Sequence, residues 1–167
     1  MEQVWYIADF LRENLQVKTP VDLVEFTERL GGKCEKTTLD KMERNFCDAC
    51  IVIHNEGDTP QFTITYSGQI SAAHTRFSIA HELGLLCLHL IKTGNQLTQD
   101  VRLDCTPLYS EEEAAANEFA TALLMPKDKF VDFCESHGGY VRIDDVAEHF
   151  NVSRHAARSR GHALNLW

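Results

Sequence analysis

Apolar positions along the chain change period several times, and each change marks an element. From Val4 to Leu15 they recur at helical spacing: Val4, Ile7, Phe10 and Leu11 lie on one side, Arg12, Glu13 and Asn14 on the other. Thr19-Pro20-Val21-Asp22 opens a second helix, with Thr19 as N-cap and Pro20 in its first turn; Leu23, Phe26 and Leu30 face inward and Gly31-Gly32 stops it. The period then shortens. Lys33–Thr38 predicts a short strand and Cys50–His54 a buried one, while Gln61–Tyr66 alternates Phe62, Ile64 and Tyr66 against Thr63 and Thr65. Turn residues fill Asn55–Pro60 and Ser67-Gly68, and Leu39–Asn45 is mostly polar and ambiguous.

Helical period returns at Arg76–His89, where Ile79, Ala80, Leu83, Leu86 and Leu90 form one buried stripe that ends at Thr93-Gly94-Asn95. A loop containing Pro107 leads to Ser110. There Ser110 caps a strong helix with Glu111, Glu112 and Glu113 at its positive end; it runs to Met125 and stops before Pro126. Lys127–Ser136, Asp144–Phe150 and Ser153–Leu164 complete a helical C-terminal part. No repeat or linker divides the pattern. The expectation is one α+β domain over residues 1–167, a small antiparallel sheet packed on a helical core.

Composition narrows the function. The 167 residues are 44% apolar and 25% charged, ordinary values for a globular chain. A formal charge of −9 argues against nucleic acid as the partner, because phosphate binding needs clustered Lys and Arg. No run of eighteen apolar residues is present, so no membrane span is expected, and the first residues lack the regions of a signal peptide. Cytoplasm is the expected compartment, and the six cysteines are expected to be reduced thiols. Cys47-Asp-Ala-Cys50 has half the spacing of a zinc knuckle, but no second pair accompanies it, which favours packed thiols.

The chemistry concentrates on the 76–89 helix. His81 and Glu82 stand side by side as in zinc peptidases, where two histidines four apart face one metal and the glutamate between them is the general base. The position four after His81 is Leu85. On the next long helix Glu113 and Asn117, four apart, share a face. Glu113 suits a carboxylate ligand from a second helix, and Asn117 suits a partner for the other ring nitrogen of a ligand histidine. The alternative for the three glutamates is an N-terminal helix charge facing solvent.

Arg76-Phe-Ser-Ile-Ala-His-Glu-Leu-Gly84, then Leu88-His89, then Glu113-x-x-Ala116-Asn117-x-Phe119-Ala120-x-x-Leu123-Leu124-Met125-Pro126, resembles the ImmA/IrrE family of zinc metallopeptidases. The resemblance extends to the early helix and to the C-terminal segment Val146–Arg160. It implies a gluzincin-like fold with a zincin-like active-site helix, and an endopeptidase that cuts helix-turn-helix phage or stress repressors. On this chain it implies His81 and Glu113 as zinc ligands, Glu82 as catalytic base and Asn117 as the residue holding His81. It also implies histidine at position 85.

Leucine cannot coordinate zinc. His89 lies about 12 Å further along the helix axis, whereas two nitrogens on one zinc must lie within roughly 4 Å. His74, Asp104 and Cys105 are the other candidates for a missing donor. With His81 and Glu113 alone, zinc is expected to be weakly held or absent. Two readings follow: a peptidase with a weakened or partner-completed site, or an inactive pseudo-peptidase that binds a repressor or another protein. A third feature is Ile143–Arg158, which reads like helix-turn-helix with Arg154, Arg158 and Arg160 on its second helix; Asp144, Asp145 and Glu148 beside it favour a helical pair that packs instead.

Overall fold

The computed structural model describes residues 2–38, 48–55, 61–94, 99–103 and 110–167. Seven helices and four strands follow in the order α1 (Glu2–Asn14), α2 (Leu23–Arg29), β1 (Gly32–Thr37), β2 (Ala49–His54), β3 (Gln61–Ser67), α3 (Ala72–Thr93), β4 (Val101–Leu103), α4 (Glu111–Leu124), α5 (Lys127–Ser136), α6 (Ile143–Phe150) and α7 (Arg154–Ala163). The α+β expectation holds. No helix among the described residues is long and apolar enough to cross a membrane.

The sheet is mixed rather than wholly antiparallel, with strand order β1-β3-β2-β4. β2 pairs antiparallel with β3 (Ile51 opposite Ile64) and with β4 (Ile51 opposite Leu103), but β1 lies parallel to β3 in the register Gly32–Phe62 to Thr37–Ser67. The β2–β3 hairpin occupies one edge of β3, so β1 takes the other, and strand direction leaves no trace in the alternation of side chains. β4 falls in a stretch expected to be loop. Three residues are too few to show a period.

Caps explain most helix boundaries. Ser71, Ser110 and Ser153 accept hydrogen bonds from the backbone N–H three residues on, opening α3, α4 and α7. Gly94 ends α3 at φ +63°, a left-handed conformation that glycine adopts without cost. At α2 the cap is Asp22, not Thr19. The Asp22 carboxylate accepts from both Val24 and Glu25 N–H, while the Thr19 hydroxyl accepts from Arg12 Nη2 at 2.8 Å. The ambiguous 39–45 stretch and most of the 55–60 turn lie outside the described residues.

α3 is buried between two layers. Ile79, Leu83 and Leu86 belong to one core with Ile51, Ile53, Phe62 and Ile64 of the sheet, and with Phe119, Leu123 and Leu124 of α4. α3 packs on β2 and β3, α4 packs on α3, and α1 packs on α4. The α3–α4 contact is unusually close at Gly84, where an added Cβ would stand 3.0 Å from both Cα and O of Ala116. Glycine here lets the two backbones meet, which brings side chains one turn away within reach of each other.

Candidate active site

His81 sits on α3 beside the Gly84 contact, with α4 running alongside. Its Nδ1 is 2.9 Å from Asn117 Oδ1, and its Nε2 is 3.0 Å from Glu113 Oε2. The four-residue spacing on α4 thus places both side chains on one imidazole, one at each nitrogen. The His81 and Glu113 side chains are 14% and 13% exposed, so the pair is largely shielded yet reachable from solvent. Glu111 and Glu112 of the same turn are exposed, and Glu112 pairs with Lys92 at 2.8 Å. The solvent-facing alternative therefore fits those two glutamates and not Glu113.

Glu82 and Leu85 lie deeper. Glu82 is 3% exposed, and its Oε2 has no hydrogen-bond partner. Burial, and then the nearby Glu113 carboxylate, push its carboxyl up to about 8, with Arg102 pulling the other way. A general base must be ionised at working pH, and this environment favours the acid form unless a cation lies alongside. Leu85 is buried at 7% exposure.

The donors among the described residues do not complete a zinc centre. His81 Nε2 and Glu113 Oε2 converge, but a catalytic zinc takes three protein ligands and the helical position for the third carries hydrocarbon. Among the described residues no group of three or more His, Cys, Asp or Glu gathers in a metal-holding arrangement. His89 stays two turns away on the unbroken α3, its Nε2 buried without a hydrogen-bond partner. His74 is committed to Asp48, with Nε2 2.8 Å from Oδ2. Asp104, Cys105 and Cys47 lie outside the described residues. Cys34, Cys87 and Cys134 form no disulfide among the described residues, and burial pushes Cys87 up to about 12.

Two contributors have no sequence signal. Arg102 reaches the electrostatic surroundings of Glu82 from the three-residue β4. Arg160, an exposed groove-reading residue if α6–α7 were a DNA reader, is 0% exposed instead. Its Nε donates to Met125 O at 3.0 Å and its guanidinium lies 4.6 Å from the Trp5 ring centroid. Arg154 and Arg158 stay exposed, and Arg154 pairs with Asp144 at 3.0 Å.

Comparison with known proteins fits this geometry. A Mycobacterium tuberculosis transcriptional regulator of known structure superposes with a TM-score of 0.64 at 19% identity, over 96% of this chain and 46% of that one. That likeness concerns the fold alone, and the chain spans about half the length of that regulator. No curated protein gives a significant match. The family model described as the IrrE N-terminal-like domain, Peptidase_M78, matches residues 52–161, from the middle of β2 to α7. That match takes in α3, α4 and every residue gathered around His81, and the chain belongs to the Peptidase_M78 family.

Proposed function

We propose that this chain is an IrrE-type peptidase-fold protein whose own residues no longer build a hydrolytic zinc centre, and that it acts by binding a protein. The observation that carries this reading is Leu85, a buried hydrocarbon at the helical position of the third donor. The partner in this reading is a helix-turn-helix repressor, the class of protein that the family resemblance implies as target.

A second reading keeps the peptidase. His81, Glu82, Glu113 and Asn117 all remain, and Glu113 and Asn117 both stand in hydrogen-bond range of the His81 ring. A donor from elsewhere would then supply what Leu85 lacks. Zinc would be held by His81 and Glu113 with Asn117 fixing the His81 ring, and it would supply an acidified water. His81 and Asn117 would bind and orient, and Glu82 would hold the proton.

The two readings separate in one experiment. Wild type and His81→Ala are titrated with zinc by calorimetry, then each is incubated with a purified helix-turn-helix repressor of the class that the family resemblance implies. The binding reading expects weak zinc uptake and a complex in which the repressor stays intact. Tight stoichiometric zinc lost in His81→Ala, together with repressor cleavage, would overturn it.

A further inference from the structure

The outer face of α1 carries large apolar groups that the fold leaves uncovered. Tyr6 and Phe10, one helical turn apart, are 69% and 50% exposed, and their rings stack with centroids 6.3 Å apart. A single exposed ring is ordinary, but a stacked pair on a helix whose inner face already packs on α4 makes a patch. Beside the rings runs a second row at the same spacing, Asp9 and Glu13. The one base of α1, Arg12, is 8% exposed and donates inward to Leu123 O and the Thr19 hydroxyl. The exposed face of α1 therefore joins aromatic rings to carboxylates, with no exposed cation among the described residues of the helix.

The acid row also lines a groove of about 680 Å³ between α1 and α5. Val17 and Val131 give the groove apolar surface, which suits the methylene stem of a long side chain. On the α5 wall Lys129 pairs with Asp128 at 3.4 Å and with Asp132 at 3.9 Å, so those acids are met within the chain, and Lys127 stays exposed. On the α1 wall Asp9 and Glu13 form no ion pair among the described residues. Burial pushes the Asp9 carboxyl up, Asp128 and Glu13 add to it, and Arg160 and Arg12 only partly offset them. A cation arriving from outside would relieve that crowding.

We propose that the outer face of α1 and its groove with α5 dock a basic amphipathic helix of the bound protein, with apolar residues on Tyr6 and Phe10 and a Lys or Arg reaching Asp9 and Glu13. The rings serve both halves of such a helix, since aromatic faces take up methyl groups and also attract ammonium or guanidinium. Helix against helix suits a stripe whose anchors stand one turn apart. A second copy of this chain fits less well, because it brings the same carboxylates and a further formal charge of −9. The inference rests on the reading that the chain binds a protein. It adds a contact on the side of α1 turned away from α4, the helix that carries Glu113 and Asn117.

In the test the full chain is titrated with acetyl-KLAKKLAKLAKKLA-amide, a leucine stripe flanked by lysines, and with its acidic counterpart acetyl-ELAEELAELAEELA-amide. Saturable binding of the basic peptide is expected, with NMR shifts confined to α1 and α5, and no binding of the acidic one. Phe10→Ser and Glu13→Lys, both at exposed positions, should each weaken binding about tenfold. Glu148→Lys makes the same change of charge at an exposed position of α6 and should alter binding by less than about twofold. No saturable binding, insensitivity to Phe10→Ser, equal weakening by Glu148→Lys, or binding of both peptides would overturn the inference. So would sedimentation showing a dimer that Phe10→Ser dissociates, since the occupant would then be a second copy. The titration needs neither zinc nor repressor. Repressor cleavage by the wild type would therefore sink the binding reading in its own assay, while a missing peptide response would sink this inference alone.

Discussion

His81 Nε2 and Glu113 Oε2 face each other at 3.0 Å, close enough to satisfy one another without a metal. Any incoming cation must break that contact between two partly buried groups, and it gains only these two protein donors in return. A third donor would shift the balance, because each ligand adds binding energy while the broken contact is lost once.

Leu85→His supplies that donor. Positions 81 and 85 share a face of α3, and Glu113 stands opposite. Replacing the buried leucine by imidazole is expected to cost about 1–3 kcal/mol in the metal-free protein. Zinc at a hundred times its dissociation constant would return about 2.7 kcal/mol. Calorimetry should find near-stoichiometric zinc in the variant, and thermal melts should show a zinc-dependent gain absent from the wild type. A variant that takes up no zinc would mean that the space around position 85 has closed to metal.

The raised Glu82 carboxyl makes stability fall as pH rises. Its folded value is about 8 against an ordinary 4.5, so between these limits the folded chain binds more protons than the unfolded one. The contribution is complete below pH 4.5 and is lost as pH rises to about 8, on the order of a few kcal/mol in all. Glu82→Gln removes the titration. Urea denaturation of wild type and variant at pH 6 and pH 9 should show the variant gaining relative stability at the higher pH. A pH-independent difference would place the Glu82 carboxyl in a wetter setting than the one described.

Gly84→Ala tests the close helix contact. Alanine is worth up to about 1 kcal/mol over glycine in a helix interior. Here its Cβ would meet Ala116 backbone atoms at 3.0 Å, and overpacking against backbone costs roughly 1–3 kcal/mol. Net destabilisation in urea is expected, with perturbed His81 ring signals in NMR as the helices part. A stabilised variant with unchanged His81 signals would contradict the contact.

Legibility in the sequence followed the range of the interaction. Helices α4 and α5 could be bounded from Ser110, Pro126 and the intervening period, since caps and breakers act within one turn. The approach of Glu113 and Asn117 to His81 could be anticipated as a shared helix face, although the bonds themselves join residues 32 and 36 positions apart. The parallel pairing of β1 and the presence of β4 had no local cause to read. Arg160 was misleading in the opposite sense, for a charged residue on a polar helix reads as exposed until Trp5, 155 positions earlier, is seen to cover it. Asp22 beat Thr19 as a cap through a tertiary contact, because Arg12 claims the threonine hydroxyl.

Arg160 has a consequence in mechanical terms. Its guanidinium ties α7 to the carbonyl of Met125, the residue capping the end of α4, and rests on α1 through Trp5, whose indole N–H in turn holds Glu118, the neighbour of Asn117. α7 is therefore a strut and not a hinged arm. Force applied to the C-terminal helix pair is delivered to the end of the very helix that carries Glu113 and Asn117, so a protein that grips α7 also pulls on the groove beside His81.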